Sequence, residues 1–266
     1  MKRNTKDGRV KNILSYSLLI VTGSFLTASA VSHNSLISRI KTWRPYVQVA
    51  YAPTWVKASG TTMLQAADKP NPESAFTLNS TTHMNDYGLG FGVDFPISFQ
   101  RRWINNLDFD LDYTNLSAFN VNGVYDLKIP AQSIDSKYNF NYRIKISTIT
   151  LDANLELYQW RRVELFAGAG FDYAWIRTSD FSQTPQGSAM SNYINFNGSN
   201  QNQWFYHLNI GLGAKLSRHF RASIRDRYYP NIRVQTGAGT TGDHALSPLK
   251  NKLSMNQVNV ALDYLF

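Results

Sequence analysis

The segment Val258–Phe266 constrains this chain more than any other. Val258, Val260, Leu262, Tyr264 and Phe266 fall on one face of a strand, and Asn259, Ala261 and Asp263 on the other, because strand side chains alternate with period two. A strand whose apolar face ends on an aromatic needs an apolar surrounding for that face. A soluble sheet supplies it with a second layer. A closed sheet in a membrane supplies it with lipid and turns its polar face to the lumen.

The first thirty residues favour export. Lys2, Arg3, Lys6, Arg9 and Lys11 precede an apolar stretch from Ile13 to Ala28, and Ala28-Ser29-Ala30 closes it. This is the pattern of a secretory signal peptide cleaved after Ala30. Ser15, Ser17, Thr22 and Ser24 interrupt the stretch, which falls short of the roughly 20 strongly apolar residues of a spanning helix. Residues 1–30 are therefore expected to be a signal peptide, 31–42 a short periplasmic segment, and 43–266 the folded domain. Loss of the basic n-region takes four units of the +9 net charge with it, and what remains is no argument for nucleic acid. No further run nears membrane-helix length, so a membrane location requires a barrel. With no cysteine, stability must come from packing and sheet closure, and thiolate chemistry is excluded.

Eight stretches alternate. Their apolar faces are Val47–Trp55, Tyr87–Phe95, Leu107–Tyr113, Ile149–Leu157, Val163–Trp175, Trp204–Ala214, Phe220–Ile224 and Val258–Phe266. Small, polar or charged residues occupy the opposite faces. Short turns are expected near Pro96–Ser98, Gln159–Arg162 and Ser217–His219. Long polar segments follow strands one (57–82), three (115–137), five (178–202) and seven (231–252). Their richness in Asn, Ser, Thr, Gly and Gln predicts mobile loops. Alternating short and long connections fit an all-β, eight-stranded antiparallel up-and-down transmembrane barrel with the long loops outside. Tyr138, Phe140, Tyr142, Ile144 and Ile146 also alternate, with their large residues out of step with Ile149 onward. A β-bulge near Ser147–Thr148 accounts for this; an extra strand pair, giving ten, needs another turn that the sequence does not offer. Trp43, Phe99, Trp103, Tyr158, Trp160, Phe220 and Phe266 would form one aromatic belt. Trp55, Tyr87, Tyr113, Tyr142, Trp175, Trp204 and Tyr228 would form the other.

These features resemble the small Gram-negative outer-membrane barrels of the opacity-type, OmpW-like and OmpA membrane-domain group. The resemblance is carried by the signal peptide, the eight strands, the terminal strand and the segment Val163–Trp175, and it covers most of residues 43–266. It implies outer-membrane localisation, contact with phospholipid and lipopolysaccharide, insertion by the barrel-assembly machinery through the signal strand Val258, Val260, Leu262, Tyr264 and Phe266, and a monomer. An ending at Phe266 would leave no room for the peptidoglycan-binding domain of OmpA.

The inward faces should carry a charge network of Asp108, Asp110, Asp112, Asp152, Glu156, Arg221, Arg225 and Arg227, with Arg143 and Lys145 as further candidates. Carboxylates at this density suggest acid/base or metal chemistry. An eight-stranded barrel, however, has an interior just wide enough for side chains, and buried charges must pair. Strand three faces strand seven, so the aspartates should meet the arginines in a salt-bridged plug. Arg101, Arg102, Arg161, Arg162 and Arg218 would form a basic periplasmic rim, either snorkelling anchors or a site for anionic headgroups. Some barrels of this group deacylate lipid A with a His and a Ser two residues apart on a late strand. The one His-x-Ser here is His33-Asn34-Ser35, ahead of the first strand, and His83, His207, His219 and His244 have no serine two residues after them. The expectation is a non-enzymatic surface protein with no catalytic residue, metal or cofactor, whose loops bind an extracellular ligand or host surface or shield the cell. The alternative is an OmpW-like conduit for small apolar molecules, which needs an apolar funnel at the outer mouth.

Overall fold

The structure, a computed structural model, describes residues 43–64, 74–96, 106–129, 134–187, 194–241 and 244–266. The expected signal peptide 1–30 and segment 31–42 lie outside the described residues. Strands β1 (Arg44–Leu64), β2 (Ser74–Pro96), β3 (Asn106–Asn115), β4 (Phe119–Ile129), β5 (Ile134–Trp160), β6 (Val163–Pro185), β8 (Ser199–Lys215), β9 (Phe220–Gln235) and β12 (Lys250–Leu265) form one antiparallel sheet. It closes where β12 pairs with β1, Tyr46 opposite Leu265. Because β3 and β4 occupy one place in the ring, the barrel has eight strands. Toward the short turns each of the eight strands is paired on both sides, β8 with β9 from Leu208↔Tyr228 to Lys215↔Arg221, which is what allows a sheet to cross hydrocarbon. Three short strands, β7 (Ile194–Phe196), β10 (Gly239–Thr241) and β11 (His244–Leu246), make a separate sheet.

Each strand meets two environments, and its polarity inverts between them. Toward the short turns, the outward residues are large and exposed: Val47, Val49, Leu89, Phe91, Leu151, Phe171, Leu208, Ile210, Val260 and Leu262 among them. At ~3.4 Å per residue and ~40° of tilt, about ten consecutive strand residues, half of them outward, cover ~25 Å, the height of a lipid-facing band. Toward the long connections the outward residues become polar: Lys57, Ser59, Asn79, Thr81, Asn120, Asn122, Asn139, Asn141 and Asn200 are exposed. The inward faces change the opposite way, and all eight strands change at corresponding positions. Thr54 gives way to Val56, Asp86 to Met84, Thr114 to Leu116, Thr148 to Ile146, Asp172 to Ala174, His207 to Phe205, Arg227 to Tyr229 and Gln257 to Met255. Below this level the barrel is polar inside and apolar outside. Above it, the barrel is built like a water-soluble one.

This inversion corrects three expectations. There is no bulge at Ser147–Thr148: the even-numbered residues of β5 face inward without interruption from Tyr138 to Glu156. What changes at Ile146 is the polarity of the interior, because the strand leaves the membrane. The extra residue lies on the neighbouring strand, where Asn115 pairs with Ser147 but Phe119 pairs with Ile144. The long segments are also not simply mobile loops, since 57–64, 74–82, 119–129, 134–137 and 178–185 continue the strands. Among their described side chains Ala58, Phe76, Leu78, Phe119, Val121 and Tyr125 are apolar and turned inward, which composition averaged over the segment conceals. Finally, Tyr142 does not belong to the outer belt. It is buried in the upper interior and accepts a hydrogen bond from Asn251 Nδ2 at 2.7 Å, whereas Trp55, Tyr87, Tyr113, Trp175, Trp204 and Tyr228 are exposed on the outside.

The upper core is aromatic. Phe76 stacks on Tyr125 at 4.6 Å and Tyr125 on Tyr138 at 4.7 Å, while Phe140 lies 5.1 Å from Phe76. Burial pushes the Tyr125 and Tyr142 phenols up from their ordinary range. The small sheet joins this core: Ile194, Phe196 and Leu246 are buried, and Phe196 meets Phe76 edge-on at 5.8 Å and Phe181 at 5.0 Å. A bulge in the β5–β6 ladder between Asn141 and Arg143 brings Phe181 onto the core's edge, with Asp180 at φ 55°. Phe140→Ala should cost about 3–5 kcal/mol, as expected for truncating a buried aromatic, whereas Asn139→Ala, on the outward face, should stay within about 0.5 kcal/mol. Urea unfolding in detergent micelles measures both. Equal effects would show that the upper interior is not a packed core.

Candidate functional site

The lumen below the inversion level is the densest polar site among the described residues. β3 and β9 stand four places apart in the ring in either direction, so their inward residues meet across the axis. Arg221 donates from Nη1 to Asp108 Oδ2 at 2.9 Å and from Nε to Asp263 Oδ2 at 2.7 Å. Its guanidinium also lies 4.8 Å from the Tyr46 ring centre. One step up, Arg225 lies 3.1 Å from Asp110 Oδ2 and donates to Asp152 Oδ2 at 3.1 Å. Asn154 also donates to Asp110, at 2.8 Å. Above that, Arg227 donates from Nη2 to both Asp112 and Asp152. Glu156 accepts from Asn106 Nδ2 at 2.6 Å, nearer the short-turn end. Three arginines from one strand thus form rungs to three aspartates on the strand facing it.

Asp152 is the hub, and it draws in His207, which strand parity turns inward without naming its partners. His207 Nε2 lies 2.6 Å from Asp152 Oδ1, and its Nδ1 lies 2.7 Å from Asp172 Oδ2. The intervening residue explains the reach: Asp152 is opposite Gly170, and Gly170 is opposite His207. A Cβ on Gly170 would stand 2.3 Å from Asp152 Oδ1 and 2.4 Å from His207 Cε1. The absent side chain lets a histidine cross over the middle strand to a carboxylate two strands away. Inward histidine, inward aspartate and a glycine between them were the readable signal.

Other predicted residues fall elsewhere. Arg143 and Lys145 are exposed on the outer face, because odd-numbered residues of β5 all point outward. Arg161, Arg162 and Arg218 are exposed at the short-turn end, and Arg161 lies 5.4 Å from the Trp160 ring centre. Arg101, Arg102, Phe99, Trp103 and the turn after Pro96 lie outside the described residues, as does His33-Asn34-Ser35. Val260, Leu262, Tyr264 and Phe266 are exposed on the lipid-facing side, with Val258 half-buried. Phe266 also donates its backbone N–H to Pro45 across the closure.

No family model matches the sequence, and no curated protein does. Solved structures of similar fold include the outer-membrane protein OprG from Pseudomonas aeruginosa, at 14% identity over 84% of this chain and 96% of that one, with a TM-score of 0.47. The neisserial surface protein A is 11% identical over 84% and 97%, with a TM-score of 0.40. The attachment invasion locus protein Ail of Yersinia pestis is 9% identical over 84% and 99%, with a TM-score of 0.38. On its own geometry, a closed sheet with an apolar girdle and aromatic belts, this chain is a transmembrane β-barrel.

Asp110→Ala leaves Arg225 short of a buried partner and should cost about 3–5 kcal/mol, as should Arg225→Ala. The double variant should cost less than the sum, because neither partner is then left alone. Urea titration of refolded protein in detergent gives all three values, and strict additivity would show that the two do not share a network.

Proposed function

We propose that this chain is a non-conducting, non-enzymatic outer-membrane barrel. Its ordered outer half presents a polar surface to the exterior, for binding or for shielding the cell. The observation that carries this reading is the filled axis. Arg227, Asp152 and His207 below the inversion level, and Ile144, Ile146, Ile232 and Tyr125 above it, expose at most 1% of their surface. A side chain lining a water-wide pore would be far more accessible, so the charged rungs act as a plug and the aromatic core as a second seal. His207 does not supply a catalytic base in this reading, since both ring nitrogens are taken by carboxylates and the site is sealed. Residues 1–30 serve as the cleaved export signal, and the chain works as a monomer. Its surface partner is read from the outward faces of β1, β2, β4 and β5, where Asn, Thr and Ser favour adaptable hydrogen bonding.

One observation favours a conduit for small apolar molecules instead: the interior above the inversion level is apolar, as a funnel must be. That reading requires β7, β10 and β11 to lift and the Phe76–Phe140–Phe196 contacts to part. Planar-bilayer recording of the purified protein separates the two. No discrete conductance is expected, and none should appear when Phe196→Ala loosens the cap. Stable channel steps in the wild type would contradict the plug. Uptake of an apolar fluorophore that rises in Phe196→Ala would favour the conduit.

A further inference from the structure

The outward face just beyond the aromatic belt is rich in cations. Lys57 follows Trp55 by two residues and Arg177 follows Trp175 by two, and both are exposed. Two pairs of cations also stand directly opposite one another across antiparallel ladders. Lys145 pairs with Arg177 between β5 and β6, and Lys252 pairs with Arg233 between β12 and β9. All four side chains are exposed. Like charges directly opposite each other in a sheet destabilise it, so one such pair is unfavourable and two on one barrel call for a shared cause.

The described acids do not supply the counter-charge. Among the described side chains outside the barrel and beyond the belt, the acids are Asp126 and Asp180. Asp126 lies 3.9 Å from Lys137 and Asp180 lies 3.5 Å from Arg143. Asp226, the outward acid of β9, lies on the lipid side of Tyr228. Height narrows the choice of anion. Lys145 and Arg177 are level with each other two residues past Trp175, or ~5 Å along the membrane normal at ~3.4 Å per residue and ~40° of tilt. Lys252 and Arg233 lie four and five residues past Asn256 and Tyr228, or ~10–13 Å. A phospholipid headgroup layer adds only about 5–8 Å to each leaflet, which reaches the first pair and stops short of the second. A headgroup bearing phosphates over both heights is larger, and in the outer leaflet of an outer membrane that is a phosphorylated glycolipid. A soluble polyanion would have no reason to favour cations ranked by distance from the belt.

We propose that the pairs Lys145–Arg177 and Lys252–Arg233 hold phosphate groups of the outer-leaflet glycolipid, so that this lipid clamps the barrel at its waterline on two sides. Guanidinium and ammonium groups side by side suit a phosphate, which accepts from several donors at once. The inference rests on the outer-membrane reading above, and it uses a surface distinct from the basic rim at the short turns.

The test uses the full chain in phospholipid nanodiscs, with bisphosphorylated lipid A, with dephosphorylated lipid A, or with neither. Heat-modifiable migration in phospholipid alone reports the barrel itself, so failure of the barrel reading would be seen before lipid A enters. Native mass spectrometry should show the wild type retaining bisphosphorylated lipid A at least tenfold more strongly than the dephosphorylated form. The variant K145Q/R177Q/R233Q/K252Q should lose that preference. Stability should change sign with the lipid. Without lipid A the variant should resist urea better than the wild type, because repulsion is relieved; with bisphosphorylated lipid A it should resist less well. An unchanged preference in the variant, or no preference in the wild type, overturns the proposal. Displacement of lipid A by inorganic polyphosphate at an equal phosphate concentration also overturns it, and assigns the cations to a soluble polyanion.

Discussion

A single change of solvent along each strand governs this molecule. In hydrocarbon, the outward face must be apolar and the inward face takes the polar residues; in water, the same strand must reverse both. The reversal falls at corresponding positions on all eight strands, from Thr54/Val56 on β1 to Gln257/Met255 on β12. Below it the interior must neutralise charge, and above it the interior must bury apolar surface. The salt-bridged rungs and the aromatic core are two answers to one constraint, stacked end to end on a shared axis.

The two halves tolerate change differently. An aromatic core loses stability in proportion to the volume removed and can repack around modest changes. A buried charge network fails when one partner is lost, because the remaining charge has no water to fall back on. Asp152 concentrates this risk, since Arg225, Arg227, His207 and Asn209 all converge on it. Gly170 belongs to the same arrangement, as its missing side chain is the space through which His207 reaches the hub.

Much of this was legible in the sequence. Alternation gave the eight strands and their inward faces, and ring order gave β3 opposite β9, so Asp108, Asp110 and Asp112 could be set against Arg221, Arg225 and Arg227. The polarity inversion was harder to read, because period-two analysis that assumes one solvent interprets Tyr138–Ile146 as a slipped strand. The inward and outward faces of β5 do not exchange, and what changes is their surroundings. Composition misled in the same region: 115–137 is polar on average, yet Phe119, Val121 and Tyr125 all turn inward. His207 was visible as an inward residue, but its bridge between Asp152 and Asp172 depends on stagger and on Gly170, which parity does not encode.

Because the chain has no cysteine, spin labels on single engineered cysteines along β5 can locate the waterline directly. At outward positions 139, 141, 143, 145, 149, 151 and 153, accessibility to oxygen and to a water-soluble nickel chelate should cross over between 145 and 149. Labels at 139–145 should be exposed to the chelate, and labels at 149–153 to oxygen. Chelate access at 149 and 151, or oxygen-dominated access from 139 onward, would place the inversion away from the membrane surface and contradict the account.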